Sequence, residues 1–130
     1  MPARGIGPVS VPALPRDVGG GTPLPHTLYR NNVVKGWISL TMTTATIADS
    51  FNVASITDNA VGDFTVTWDR DFASANYACS AFGGDSGTIA FSFSHNGTLG
   101  VGSIRITARR NDNAALVDVD PLQVIAIGDH

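Results

Sequence analysis

The chain has 130 residues, 43% of them hydrophobic and only 15% charged, with a formal net charge of −3. That is enough chain for one modest core, and its charge is low against the roughly 25% of ordinary soluble domains. No basic run exceeds Arg109-Arg110, which excludes a phosphate-tracking face for nucleic acid, and no apolar run approaches the roughly 18 residues of a membrane span.

Residues 1–30 stand apart. Pro2, Pro8, Pro12, Pro15, Pro23 and Pro25 fall here, and proline fixes φ and donates no backbone hydrogen bond. The segment reads as an extended anchoring arm, with Val9, Val11, Leu14, Leu24, Leu28 and Tyr29 to bury against a partner and Gly19-Gly20-Gly21 as a hinge. About 25 residues at roughly 3.1 Å each would reach on the order of 80 Å. Nothing in it has the apolar core of a signal peptide.

Residues 31–130 read as an all-β knob. Val33 to Leu40 forms a first strand, with Trp37 and Ser39 opposite Ile38 and Leu40. Phe51 to Thr57 and Phe64 to Trp68 form a hairpin about the turn at residues 58–63. Tyr77, Cys79 and Ala81 alternate with Ala78, Ser80 and Phe82 ahead of the loop at residues 83–87. Ile89, Phe91 and Phe93 mark an inward face, and His95-Asn96-Gly97 turns the chain. Asn96-Gly97-Thr98 also matches the glycosylation sequon, but the hairpin turn is the reading that needs no secretion. Ile104, Ile106 and Ala108 follow, then Val117 and Val119, Pro121, and Leu122 to Ile127. No helical stripe interrupts this pattern. Seven or eight short strands imply one β-sandwich, jelly-roll-like in style.

The chemistry-bearing residues point away from catalysis. His26, His95 and His130 lack zinc spacing. Cys79, the one cysteine, allows no intrachain disulfide and reads as a buried packing thiol. The acidic pairs Asp58 and Asp63, Asp69 and Asp71, and Asp118 and Asp120 are too few per loop for calcium and read as turn caps. The Asn52 and Asn76 amides are expected to satisfy backbone groups near turns. Trp37, Phe51, Phe64, Trp68, Tyr77, Phe82, Phe91 and Phe93 are the large candidates for the core. Gly84-Asp85-Ser86-Gly87 is similar to the loop around a trypsin-like serine nucleophile, without the remaining triad context in a chain about half a protease's length. No catalytic residue, metal site or cofactor is expected.

A family resemblance rests on several separated motifs in order. Leu28-Tyr29-Arg30-Asn31-Asn32-Val33-Val34-Lys35-Gly36-Trp37-Ile38 is followed by Ile47 to Asn59, then Gly62-Asp63-Phe64-Thr65-Val66 and Ala75-Asn76-Tyr77-Ala78. Residues 28–80 thereby resemble the C-terminal β domain of tailed-bacteriophage tail fibres and related receptor-binding proteins. Three departures stand out: Gly36 where that domain usually has alanine, Ala60 where it has glycine, and a short arm where such fibres usually carry a long shaft. The resemblance implies a virion appendage, a homotrimer whose knob contacts a host surface.

Together these readings give a non-enzymatic virion protein. The arm would hold another virion protein of the capsid, portal vertex or tail. The knob would trimerise and offer its outer loops to a host cell-surface glycan. The loops are residues 58–63, 83–87, 95–102 and 110–115, with Asp58, Asn59, Asp63, Asp85, Ser86, His95, Asn96, Asn111 and Asn113 as candidate contacts. The rival expectations are a capsid decoration or cement protein, and a carbohydrate-binding or hydrolytic β module. No nucleic-acid partner and no membrane insertion are expected.

Overall fold

Alternating apolar residues bury one side of a strand and expose the other, and two such strand sets must cover each other's apolar sides. A computed structural model of the chain describes residues 33–84, 89–97 and 99–130. Its strands are β1 (Val34–Thr41), β2 (Thr46–Phe51), β3 (Val53–Ala60), β4 (Asp63–Trp68), β5 (Ala78–Gly83), β6 (Phe91–His95), β7 (Ser103–Arg110) and β8 (Leu122–Ile127). They form two antiparallel four-stranded sheets, ordered β2-β1-β8-β5 and β3-β4-β7-β6. The two pack against each other, and the expected all-β sandwich is the fold.

The core lies between the sheets. Ile38 and Leu40 from β1 and Leu122, Val124 and Ala126 from β8 meet Phe64, Val66 and Trp68 from β4 and Ile104, Ile106 and Ala108 from β7. A large apolar side chain contributes about 1.5–3 kcal/mol when fully buried, so these alternations supply the main drive to fold. Gly36 lies where a Cβ would come within 2.8 Å of the Trp68 ring. Glycine at this position therefore makes room for the indole.

Two details differ from the sequence reading. The stretch before Phe51 forms a strand of its own, β2, so that residues 46–60 are two strands broken at Asn52, where φ is 58°. One peptide thus carries the chain from the edge of the first sheet to the edge of the second. The turn of the predicted hairpin is also shorter than residues 58–63. Strands β3 and β4 pair out to Ala60 and Asp63, leaving Val61-Gly62 as the loop. The positive φ of 68° falls on Gly62; alanine at position 60 sits in strand and is tolerated there.

Strand directions place the connections. Val33 and the start of β1, the Asn52 break, the β4–β5 and β6–β7 connections and the C-terminal residues gather at one end. Backbone bonds from Trp68 to Gly102 and from Ala73 to Asp129 tie that end together across both sheets. The β1–β2, β3–β4 and β7–β8 connections, with Gly84 after β5, gather at the other end, called the tip below. There Gly62 N–H donates to Asp118 Oδ1 at 2.7 Å, and Thr43 Oγ1 donates to Asp120 Oδ2 at 2.6 Å.

Candidate functional site

Residues 58–63 and 110–115 both lie at the tip. The loop at residues 95–102 does not join them. It packs at the opposite end, where Tyr77 Oη donates to Gly100 O at 2.8 Å and accepts from Trp68 Nε1 at 3.1 Å. Burial raises the Tyr77 hydroxyl's pKa, so it stays a neutral donor in this pair of bonds.

The candidate contacts divide by what already occupies them. Asp63 is buried and not available as an outer contact. Arg105 grips its carboxylate with both Nε and Nη2, at 2.8 and 2.7 Å, and Asn59 Nδ2 adds a bond at 3.2 Å. The Arg105 hydrogen bonds hold Asp63 below the usual carboxylate range, against the opposing effect of burial. Asn59 itself is exposed, but its amide also donates to Thr65 Oγ1. Asn113 Oδ1 accepts from Ala115 N–H, closing its own turn, and Asn111 Oδ1 accepts from Ser92 Oγ. Asp58 is exposed on its strand. His95 Nδ1 lies 3.0 Å from Gly97 O, and Asn96 N–H donates to Arg105 O, both away from the tip. Asp85 and Ser86 lie outside the described residues, as do the arm residues Val9, Val11, Leu14, Leu24, Leu28 and Tyr29. The candidate contacts among the described residues thus form no single convergent cluster. Among the described residues no group of three His, Cys, Asp or Glu side chains is placed to share a metal ion, and no helix is long and apolar enough to cross a membrane.

A different surface distinguishes the molecule. The outer face of sheet β3-β4-β7-β6 is polar row by row: Ser55 beside Thr67 and Ser103, Thr57 beside Thr65 and Arg105, Asp63 beside Thr107 and Ser94. The outer face of sheet β2-β1-β8-β5 is not. Phe51, Trp37 and Ile125 stand side by side on neighbouring strands, followed by Ser80. The next row is Asp49, Ser39, Gln123 and Phe82. Phe51 is 54% exposed and Phe82 65%, although alternation pointed to both as core residues. A groove of about 350 Å³ runs between Trp37, Ser39, Phe82, Gln123 and Ile125. A solvated antiparallel sheet ordinarily turns polar residues outward. This face breaks that pattern.

Cys79 corrects another expectation, because it is exposed rather than packed in the core. It lines a cleft of about 300 Å³ at the open edge between β5 and β6, beside Ser94 and His95. Desolvation there pushes the thiol up to about 11, which keeps it protonated and a poor nucleophile.

Asn52 performs the backbone role expected of it. Its Nδ2 donates to Lys35 O at 2.9 Å and Arg70 O at 3.1 Å, and its Oδ1 accepts from Arg70 N–H at 2.7 Å. His130 Nε2 lies 3.3 Å from the same Nδ2. Burial, with the nearby Arg70 and Lys35 charges, holds His130 below its usual range and keeps the ring neutral. This is scaffold, not a reactive group.

No family model, curated protein or solved structure matches the chain.

Proposed function

We propose that this chain is a non-enzymatic structural protein of a bacteriophage particle. Residues 31–130 form a knob that assembles as a homotrimer, and residues 1–30 attach it to another virion protein. The observation that carries this reading is the separation of ends. The chain enters β1 at one end of the sandwich, while the connections around Gly62, Gly84 and Asn111–Asn113 lie at the other. A module held by its leading segment therefore turns its tip outward. The motif order of residues 28–80 supports the virion setting, and the low charge of the chain favours association of copies. Three tips on one assembly would bind a host glycan by avidity, so each contact can be weak.

Particles lacking the protein are expected to adsorb poorly to host cells, and the purified full chain should have three times its 13.5 kDa mass in solution. A monomer at micromolar concentration would refute the trimer. Normal adsorption by fragile particles would assign the protein to the shell instead, and sugar release from host polysaccharide would overturn the non-enzymatic reading.

A further inference from the structure

The apolar outer face of sheet β2-β1-β8-β5 leaves Phe51, Phe82, Ile125 and Ile127 exposed. We propose that this chain's own residues 22–29, Thr22 to Tyr29, lie along the groove between Trp37 and Phe82 and cover it. Those residues lie outside the described ones. It does not rest on the virion reading, but it narrows the attaching part of the leading segment from residues 1–30 to residues 1–21.

Distance is the first argument. Leu28 precedes Val33 by five positions, about 17 Å of extended chain, and Trp37 follows it by four, about 13 Å of strand. Between them Arg30-Asn31-Asn32 supplies turn-forming asparagines. A reversal there brings Leu28 and Tyr29 over Trp37 and Ile125, and Leu24 onward toward Phe82.

Backbone chemistry is the second. Strands β1 and β8 are interior, so their backbone groups are already paired on both sides. An occupant of this face meets side chains only and gains nothing from its own N–H groups. A segment with Pro23 and Pro25 has fewer of those to leave unpaired. It also favours the polyproline II form that docks on aromatic-lined grooves. Thr22 to Tyr29 contains no Asp, Glu, Lys or Arg, matching rows in which Asp49 is the one charged side chain.

Size is the third. Four strands at ~4.8 Å and six residues at ~3.4 Å make a face of roughly 400 Å². A standard interface takes about 800 Å² from each partner. A second copy docked on this face alone would fall short, whereas a short peptide fills it. Tethering by a few residues holds the segment at roughly millimolar effective concentration, so weak packing suffices. Gly19-Gly20-Gly21 then divides the leading segment, leaving Val9, Val11 and Leu14 to reach a partner.

The test uses the full chain with Cys79→Ser. Leu28→Cys is combined either with Gln123→Cys, in the groove, or with Thr57→Cys, on the polar face. Isotopically labelled and unlabelled chains are mixed before mild oxidation. The expected result is at least a tenfold excess of the 28–123 disulfide over 28–57, formed within single chains. Equal yields would overturn the proposal. So would 28–123 bonds joining labelled to unlabelled chains, which would make the occupant another copy's segment. As a second measurement, Leu24→Asp with Leu28→Asp should raise acrylamide quenching of Trp37 about twofold while buried Trp68 stays protected. Unchanged quenching would count against docking.

Discussion

At the scale of single residues, Asp63 shows why a polar residue in a predicted turn need not be a binding residue. It sits on the first position of β4, and two bonds from Arg105 plus one from Asn59 take up its carboxylate. Sequence spacing shows an acidic residue near a turn; it does not show an arginine 42 positions away on a neighbouring strand. Because the folded pKa is lowered, the pair stabilises the fold above the unfolded carboxylate's titration range. That contribution is lost as pH falls through the lowered value. Urea midpoints measured from pH 7 downward should therefore show wild type well above Asp63→Asn at neutral pH. The two curves should converge in acid, and a pH-independent gap would disprove the linkage.

At the scale of elements, alternation made most of the fold legible. Phe64, Val66 and Trp68, like Ile104, Ile106 and Ala108, face inward as their spacing indicates. Period two says which residues share a side, but it names the inner side only when the other side is polar. In β1, β2 and β5 both sides carry apolar residues, so Trp37, Phe51 and Phe82 could not be told from core by pattern. The break between β2 and β3 was hidden for another reason: one asparagine with positive φ has no compositional signature in a run that otherwise reads as strand. Two substitutions separate Asn52's roles. Asn52→Gly keeps the left-handed backbone and loses the amide bonds; Asn52→Ala loses both. Chemical denaturation should show Asn52→Gly destabilised by about 1–3 kcal/mol and Asn52→Ala by more. Equal losses would mean the backbone conformation is immaterial.

At the scale of the molecule, the two sheets differ in what they ask of their surroundings. The β3-β4-β7-β6 face is complete in water, and the β2-β1-β8-β5 face is not. Removing residues 1–18 should therefore leave a well-behaved knob that no longer joins particles. Removing residues 1–29 should also uncover the groove and promote concentration-dependent self-association by light scattering. Identical behaviour of the two truncations would argue that the groove needs no cover. The candidate contacts at the tip were legible only as loops, because which end of a sandwich a loop occupies depends on strand order.

The position of β1 has a mechanical consequence. It is the strand that follows the leading segment, and it lies in the middle of its sheet, hydrogen-bonded to β2 on one side and β8 on the other. Tension transmitted through Val33 would draw β1 along its own axis. Both ladders would resist in shear, many bonds at once, instead of parting one by one as at a peeled edge. A chain hung from a peripheral strand would unzip under drag; one hung from β1 is gripped from both flanks.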